Sequence, residues 1–489
     1  MTEPSASAVT ETLPPAPSKL EPDAIGVAQD TIVGMATSAP AAVVAISLAG
    51  LAATAAYGGG LIMLIAAVPM LIIANSYRRL NRWSANAGAS FEWVGRSINP
   101  YLGFMTGWLM IAGFAVGTLS GVEVLGPSVL AVFGASASST WANVAIATGV
   151  ALVMLVIAVV GIRITARTQV IMAVVEYAIL VGMSVWGLFY VLGHHPHTYP
   201  VTSGWFSLSG VGGKGDIVGG FVIAVFAYSG WDGTVYVNEE VRQRRVNPGR
   251  AAMIAVVLLA VIYTLAQVGL QGVVSPAALQ ANSDNALVYA AQGLGGSSWA
   301  KVMALALALS VIATTGAGIV MGARIIYGMA GHRTLPEFLA SVPRRFATPA
   351  AASVVFGLIV IALAWVYLLA TSVENAFNYV VDLTGLLFAL FYILTALAGI
   401  AYFRRRIARN VKDAITVGLL PLASAAFLAW MVIKSMMESP APQNWSMLGV
   451  FVAGLILMLV SRFVLRSPFY RIRLESAPAV ETEQEAVSR

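Results

Sequence analysis

The chain has 489 residues, of which 58% are hydrophobic and only 10% are charged. Because an ordinary soluble domain carries about 25% charged residues, this composition excludes a soluble protein and predicts an all-α polytopic membrane protein. The chain has no cysteine, which excludes disulfide bonds and thiolate metal sites. We expect no metal centre and no cofactor, with a proton or Na⁺ as the coupling ion.

Twelve apolar stretches follow one another along the chain, and each predicts a transmembrane helix. About 20 residues are enough for a helix to cross roughly 30 Å of hydrocarbon. In chain order the predicted spans are residues 25–52, 56–77, 101–133, 141–162, 168–192, 217–240, 251–274, 298–328, 350–370, 376–402, 413–436 and 445–465. Residues 1–24 and 466–489 are predicted tails, disordered over residues 1–24 and 475–489.

Basic residues alternate between the two sides of this predicted bundle. Most of the 28 Lys and Arg residues lie in the tails and in alternate connections, whereas the opposite side holds Lys214, Lys301 and Lys434. By the positive-inside rule, both termini are then cytoplasmic, as expected for a multi-pass protein of the plasma membrane. The net charge of +6 therefore reflects orientation in the bilayer and does not indicate a nucleic-acid partner.

The first and sixth spans carry signals that interrupt a helix. Pro40 in the first span has no N–H and clashes with the preceding turn, and it moves Ala39 towards an extended conformation. In the sixth span, Gly230 and Gly233 flank a polar cluster near the middle, which weakens the helix. A simple kink at each position is the alternative interpretation.

The two interruptions lie in the first helices of two successive sets of five spans. Matching interruptions in two halves are typical of transporters built from an inverted repeat. Non-helical backbone at membrane depth lines a cavity or is buried in protein, and its N–H and carbonyl groups can bind a carboxylate and an ammonium. We therefore predict a 5+5 core at residues 25–402, followed by helices 11 and 12 at residues 403–465.

Three sequence blocks resemble the amino acid–polyamine–organocation (APC) superfamily, which has the LeuT-type fold. They are residues 86–93 (NAGASFEW) with Gly103-Phe104 and Gly107-Trp108, residues 226–232 (FAYSGWD) with Asn238-Glu239-Glu240, and residues 323–330 (ARIIYGMA) with Leu335-Pro336 and Thr348-Pro349. The resemblance implies secondary active transport of amino acids, amines or related organic cations. The first span departs from the family's commoner Gly-Ser-Gly pattern, which leaves the substrate open.

The two interruptions supply the candidate substrate site, formed by Thr37, Ser38, Ala39, Pro40, Phe226, Ala227, Tyr228, Ser229, Gly230 and Asp232. Backbone N–H groups at the first break would bind an anionic group, although the hydroxyls there could instead satisfy loosened helix carbonyls. The family resemblance implies that the aromatic residue at the sixth break caps the substrate, but Tyr228 could equally be a core residue. Asp232 either caps the inner half-helix or contacts a cationic substrate.

Glu176 is the leading candidate for ion coupling. It lies in the apolar fifth span, roughly 13 Å from the start of the helix, where a carboxylate costs about 2.5–3.5 kcal/mol. The family resemblance places it near an ion site to which Thr314 and Thr315 would contribute hydroxyls. Either Glu176 carries a proton, which we favour, or ionised Glu176 holds Na⁺ together with Thr315 and first-span carbonyls. A carboxylate retained for packing alone is the third possibility.

Further acidic residues lie towards the ends of the predicted pathway. Glu123 and Asp382, in the third and tenth spans, would make the outer pathway acidic and favour cationic substrates. Hydrogen bonding within an outer gate is the alternative. Glu239 and Glu240 stand beside arginines at positions 242, 244 and 245, and this arrangement indicates either an inner-gate ion-pair cluster or a solvated patch.

Together these features predict a secondary active transporter for an amino acid or related amine, working by alternating access with proton-coupled uptake. The alternatives are an amino acid or polyamine exchanger and, less favoured because the tails are short, a transporter-like receptor. No nucleophile motif, metal cluster or phosphate-binding glycine loop supports an enzyme. The expected partners are the small-molecule substrate and the lipid bilayer, without an obligate protein partner.

Overall fold

The computed structural model describes residues 20–135, 139–193, 195, 198–207, 216–369, 376–439 and 441–478. Over these ranges it is helical and contains no β-strand, apart from an isolated bridge between Ile25 and Val241. Lys214 and residues 1–19 and 479–489 of the predicted tails lie outside the described residues.

Helices are named here in chain order. They are α1 (Val27–Thr37), α2 (Pro40–Ala55), α3 (Gly59–Trp83), α4 (Ser90–Ser97), α5 (Pro100–Leu119), α6 (Val122–Val132), α7 (Thr140–Val160), α8 (Ile162–Leu192), α9 (Ile217–Ala227), α10 (Asn247–Leu270), α11 (Pro276–Ala281), α12 (Ala286–Gly295), α13 (Ser297–Gly331), α14 (Ala350–Leu369), α15 (Ala376–Ile407), α16 (Val411–Asp413), α17 (Leu420–Glu438) and α18 (Ala441–Leu459). A 3-10 helix, Trp231–Val235, follows α9. Wider π-helical turns at Ala414–Leu419 and Val460–Val464 precede α17 and follow α18.

Within the described ranges, eleven helical segments are long and apolar enough to cross a membrane, and the bent pair α1 and α2 makes a twelfth span. The prediction of an all-α polytopic membrane protein is confirmed. The axes of α1 and α2 differ by 40°, α5 and α6 share the third span, and α9 with the 3-10 helix forms the sixth. The remaining spans, from the second to the twelfth, are α3, α7, α8, α10, α13, α14, α15, α16 with α17, and α18.

Helix contacts follow the relation predicted between the two sets of five spans. The second span, α3, packs on the seventh, α10, and the fourth, α7, packs on the ninth, α14. The fifth span, α8, packs on the eighth, α13, just as the tenth, α15, packs on the third, α5. A pseudo-two-fold axis that exchanges each span with the one five places later produces this pattern.

Two backbone details differ from the sequence-based expectations. Ala39, expected to be extended, is left-handed with φ 44° and ψ 61°, because α2 begins at the very next residue and the chain must change direction within one peptide. The third span, predicted as one helix, is broken between α5 and α6 at Ser120 and Gly121. At that break a Cβ on Gly121 would lie 2.7 Å from Val311 Cγ2 of the eighth span, so the close contact requires glycine.

The described parts of both tails pack against the bundle, although their composition predicted disorder. Leu20 and Ala24 are buried, and Glu21 pairs with Arg163 at 2.6 Å. Near the other terminus, the Glu475 N–H donates to the Arg96 carbonyl at 2.7 Å, and its carboxylate pairs with the Arg96 guanidinium. Specific polar partners therefore hold residues 20–24 and 475–478, and composition does not reveal such partners.

The fifth and seventh spans cross at a pair of glycines. A Cβ on Gly187 would lie 2.4 Å from the carbonyl oxygen of Gly269, and a Cβ on Gly269 would lie 2.1 Å from the carbonyl oxygen of Ser184. Small residues at a helix crossing let the two backbones approach closely. This crossing holds α8, and with it Glu176, against the centre of the bundle.

We predict that Gly187→Ala lowers the stability of the protein by about 1–3 kcal/mol, the usual cost of overpacking. The added methyl group meets backbone atoms, which cannot rotate away as a flexible side chain would. Thermal unfolding of the purified full-length protein in detergent measures the effect. Gly182→Ala on the same helix is the matched control, because no atom lies within 4 Å of its added Cβ. Equal unfolding midpoints for the two variants would contradict the close crossing.

Candidate functional site

The first interruption redirects the chain between α1 and α2. α1 ends at Thr37, and left-handed Ala39 leads directly into Pro40. The N–H groups of Ser38 and Ala39 donate to carbonyls of the preceding turn at 3.0 and 3.2 Å. In this state the N–H groups predicted to bind an anion are therefore engaged within the turn. A left-handed residue other than glycine is uncommon, and such strain concentrates at functional sites.

Glu176 of the fifth span lies at the beginning of α2. Its Oε1 accepts a hydrogen bond from the Ala41 N–H at 2.9 Å, and the Ser310 side chain lies beside this carboxylate. Ser310 Oγ in turn accepts from the Ala42 N–H at 3.3 Å. A helix begins with unsatisfied N–H groups and partial positive charge, so the buried carboxylate takes the place of an N-cap.

The carbonyl groups at the first break are satisfied from the seventh and eighth spans. The Tyr263 hydroxyl donates to the Ser38 carbonyl at 3.2 Å. The Thr314 hydroxyl lies 2.8 Å from the Ala36 carbonyl, whereas the Thr315 hydroxyl bonds within its own helix. Of the two threonines predicted at an ion site, Thr314 is the one that contacts the first span.

The second interruption approaches the first directly. The backbone is left-handed at Gly230, with φ 104°, and a Cβ there would lie 2.7 Å from the Thr37 carbonyl oxygen. Glycine is therefore required for the two breaks to come this close. The Thr37 hydroxyl joins them, since it lies 2.6 Å from the Gly230 carbonyl oxygen and 2.5 Å from that of Gly34.

Asp232 is fully buried and is held by two tyrosines. Tyr392 of the tenth span donates to Asp232 Oδ1 at 2.7 Å, and Tyr236 donates to Oδ2. The same Tyr392 oxygen accepts the Gly230 N–H at 3.1 Å. The partners of the Asp232 carboxylate are thus tyrosine hydroxyls, and through Tyr392 the carboxylate positions the turn at Gly230.

A cavity of about 30 Å³ lies between the two breaks. It is lined by uncharged residues: Thr37, Ser38, Ala39, Val43, Phe114, Gly117, Thr118, Ser120, Phe226, Ser229, Thr314, Gly318, Thr384 and Phe388. One water molecule needs roughly 10–15 Å³ of such a cavity, so there is room for about two water molecules. A substrate the size of an amino acid therefore requires some outward movement of the lining.

The cavity brings together part of the predicted site. The predicted residues that line it are Thr37, Ser38, Ala39, Phe226, Ser229 and Thr314. Those that do not line it are Pro40, Ala227, Tyr228, Gly230, Asp232, Glu176 and Thr315. Tyr228, considered as a cap over the substrate or as a core residue, donates its hydroxyl to the Met63 carbonyl at 3.1 Å.

The third and tenth spans contribute lining residues that the sequence analysis missed. Phe114 and Ser120 belong to residues 113–121 (GFAVGTLSG), where three glycines, Thr118 and Ser120 were a usable signal for a break. Thr384 and Phe388 lie one turn apart on α15. They gave no comparable signal, because an apolar helix does not show which of its faces meets a cavity.

The two outer acidic candidates stand apart from the cavity. Glu123 is exposed, and its Oε2 accepts a hydrogen bond from the Tyr367 hydroxyl at 2.6 Å. Asp382 is half-buried on α15 and is not among the lining residues. In the described part of the chain, no group of three His, Cys, Asp or Glu side chains is placed to hold a metal ion.

The arginine-rich end of the bundle, called the basic end below, is closed. The Ile25 N–H donates to the Glu240 carbonyl at 3.2 Å, and the Arg242 N–H donates to the Ile25 carbonyl at 3.0 Å. The buried Glu240 carboxylate accepts two bonds of 3.0 Å from Arg324 of the eighth span. Its partner is thus Arg324, since the Arg242 side chain, beside which a cluster was predicted, is exposed. We call Ile25, Glu240, Val241 and Arg324 the basic-end gate.

The chain is similar in sequence to known amino acid transporters. The sequence profile of the family described as Amino acid permease matches residues 31–461. The chain is 27% identical over 220 residues to the Asc-type amino acid transporter 1 of Mus musculus, covering 45% of this chain and 39% of the relative. It is 25% identical over 244 residues (50% and 47%) to the b(0,+)-type amino acid transporter 1 of Rattus norvegicus. It is 28% identical over 223 residues (45% and 39%) to the large neutral amino acids transporter small subunit 2 of Mus musculus. Each alignment therefore spans less than half of the relative's length.

We predict that Tyr392→Phe destabilises the protein more than Tyr228→Phe does. The first change removes a donor from a buried carboxylate and an acceptor from the Gly230 N–H, and hydrogen bonds to charged groups contribute about 1.5–3 kcal/mol. The second removes a donor to a neutral carbonyl, a bond that contributes about 0.5–1.5 kcal/mol. Thermal unfolding in detergent compares these two buried tyrosines. A smaller loss for Tyr392→Phe would show that its hydroxyl does not support the break.

Proposed function

We propose that this chain, which belongs to the amino acid permease family, carries an amino acid across a membrane by alternating access. The chain is a multi-pass membrane protein, and its family consists of transporters and not of enzymes. The observation that best supports the proposal is the cavity between the two broken spans, together with a closed basic end. Alternating access requires such a site, with a gate that can open on one side of it.

A net-neutral amino acid suits this cavity best. Its lining carries no charged side chain, so a zwitterion brings no net charge into a site of low polarity. The Ser38 hydroxyl, which has no partner among the described residues, can bond to the carboxylate or the amino group. The hydroxyls of Thr37 and Ser229 donate to backbone carbonyls and can still accept from the amino group. The rings of Phe226 and Phe388 can contact an apolar side chain. One similar protein is named for large neutral amino acids, which supports the same substrate class.

The position of Glu176 supports the proposal that transport is coupled to a proton. An ionised carboxylate makes a strong, charge-assisted bond to the N–H groups that begin α2. A proton on Glu176 removes the charge and weakens this bond, so the protonation state of Glu176 alters the attachment of α8 to the first span. Such a change gives two arrangements of the first span between which a proton gradient could select.

The proposal has four finer features: uptake or exchange, the coupling ion, the location and orientation of the chain, and a partner subunit. An exchanger would use the same cavity, and Na⁺ could replace the proton if Thr314 and first-span carbonyls supplied its ligands. We propose a plasma-membrane location with cytoplasmic termini, from the distribution of basic residues. One relative is named as a small subunit, so co-purification from the native membrane should accompany any assay of the isolated chain.

Uptake by proteoliposomes that hold only the purified full-length chain tests the proposal. We expect radiolabelled L-alanine or L-leucine to accumulate under an inward proton gradient, with weaker uptake of L-lysine and putrescine. Uptake that requires amino acid inside the vesicles would indicate an exchanger, and uptake that requires a Na⁺ gradient would indicate Na⁺ coupling. The transport proposal would be rejected if none of these probes moved under any gradient.

We predict that Glu176→Gln abolishes accumulation driven by a proton gradient but preserves exchange of labelled for unlabelled amino acid. The neutral glutamine side chain imitates the protonated carboxyl group, and its oxygen can still accept the Ala41 N–H, so exchange by the substrate-loaded protein persists. The amide cannot take up or release a proton, so the proton gradient no longer drives accumulation. Both activities are measured in the same proteoliposomes. Glu438→Gln, which makes the same chemical change at an exposed position at the end of α17, serves as the control. Undiminished accumulation in Glu176→Gln would remove this residue from coupling.

A further inference from the structure

Asp30 of α1 is a buried carboxyl group without a partner among the described residues. Its side chain has an exposed fraction of 0%, and in this part of the chain neither carboxylate oxygen has a hydrogen-bond partner. The other buried carboxyl groups near the breaks each accept hydrogen bonds: Glu176 from the Ala41 N–H, Asp232 from Tyr392 and Glu240 from Arg324. Asp30 was not singled out from the sequence, because it lies close to the start of the first span, where an acidic residue is unremarkable.

The surroundings of Asp30 follow from the helical repeat of α1. Residues four and seven positions apart lie on the same face of a helix, so Asp30 shares its face with Gly34 and Thr37. That face packs on the 3-10 helix of the sixth span, since a Cβ on Gly34 would lie 2.4 Å from Thr234 Cγ2. The hydroxyl of Thr234 is also buried and without a partner. Asp30 thus lies one helical turn from the Gly34 contact, on the side of the basic-end gate.

No ion pair joins Asp30 to another described residue. The elements packed against α1 are α8, α10, α13 and the 3-10 helix. Glu176 on α8, Tyr263 on α10, Arg324 on α13 and Asp232 on the 3-10 helix are each bonded to a group other than Asp30. The Tyr177 hydroxyl on α8 and the Nη1 atom of Arg324 have no hydrogen-bond partner among the described residues, and Arg324 forms its ion pair with Glu240. The arginines Arg163 and Arg167 of α8 and Arg250 of α10 are exposed.

An ionised carboxylate in such a place would lose its hydration without gaining an ion pair or a hydrogen bond, which is strongly unfavourable. A protonated carboxyl group is neutral and avoids this loss. The closed arrangement of α1 against the sixth span therefore selects the protonated form.

We propose that Asp30 is a proton-binding site whose occupancy is tied to the basic-end gate. Closing the gate packs α1 against the 3-10 helix and requires Asp30 to take one proton from the water at the basic end. Opening the gate hydrates Asp30, and its proton returns to that same water. No net proton crosses the membrane in this step, so the site is distinct from coupling at Glu176. Protonation of Asp30 makes closure of the gate depend on the pH at the basic end. This inference rests on the proposed alternating access.

The position of the gate supports this link. Ile25, which pairs with Val241 across the gate, precedes Asp30 by five residues. Separation of that pair frees the beginning of α1, where Ala28 is already exposed. Water reaching α1 along this route would arrive at Asp30 before it reached the cavity. The fully buried pair Glu240 and Arg324 closes the same region from the eighth span.

Infrared spectroscopy of the purified full-length protein without substrate tests the protonation directly. At neutral pH we expect a carbonyl band of a protonated carboxylic acid that is lost in Asp30→Asn. The band should persist in Thr31→Val, the matched control, which alters a buried polar residue next along the same helix without removing a titratable group. Identical carboxylic-acid bands in wild type and Asp30→Asn would overturn the proposal.

Because the chain has no cysteine, a single introduced thiol can report on the gate. We measure the rate at which N-ethylmaleimide labels Ile25→Cys and divide it by the rate at which the reagent labels glutathione at the same pH. This ratio corrects for the pH dependence of the thiol chemistry. We expect this ratio to rise by up to tenfold per pH unit, as linkage to one proton requires. Adding Asp30→Asn should abolish the rise, and adding Thr31→Val should not.

A labelling ratio that is independent of pH in the Ile25→Cys protein would by itself overturn the proposal. The test therefore remains decisive even if the Asp30→Asn variant does not fold. An unchanged slope in the double variant would assign the pH dependence to the other ionised groups of the gate and would also overturn it. Neither readout uses substrate. Loss of the proposed transport function would therefore appear in the uptake assay, while the protonation of Asp30 would be judged separately.

Discussion

The structure depends on one constraint: backbone groups that leave a helix inside a membrane must find partners within the protein. Both breaks satisfy it with side chains from distant spans. At the first break, Glu176 and Ser310 accept the N–H groups that begin α2, and the Tyr263 hydroxyl donates to a freed carbonyl. At the second, Tyr392 accepts the Gly230 N–H. The fifth, seventh, eighth and tenth spans are thereby attached to the segments that enclose the cavity.

This arrangement separates charge from the substrate site. The cavity lining is uncharged, although Glu176 and Asp232 belong to the segments immediately behind it. Both carboxylates are hydrogen-bonded to backbone or tyrosine groups and hold them in place. Hydroxyls, peptide groups and phenyl rings therefore face a substrate. A change in the protonation of a carboxylate in this position acts on the shape of the breaks and not on direct contact with the substrate. Coupling and recognition can then be altered by different substitutions.

The sequence predicted the parts of this structure that local chemistry determines. Twelve spans follow from apolar length, and the breaks follow from Pro40 and from Gly230. The partners of those breaks could not be predicted, because Tyr392 and Ser310 lie on helices whose apolar residues surround them on all sides and show no preferred face. For the same reason Glu240 was assigned to neighbouring arginines, when its partner is Arg324 from the eighth span. The break at Gly121 was missed because a glycine in a membrane helix more often marks close packing than an end.

Three of the buried acidic residues near the first and sixth spans represent different solutions to the same problem of desolvation. Glu176 is bonded by backbone at a helix start, Asp232 by two phenolic hydroxyls, and Asp30 by nothing in the described structure. The first two arrangements stabilise a carboxylate wherever the surrounding helices stay together. The third is tolerable only while the group is neutral, so it responds to separation of α1 from the sixth span, the movement that opens the basic end. An unsatisfied group at a moving interface is therefore better placed to sense a gate than a well-bonded one, since its energy changes most when water arrives.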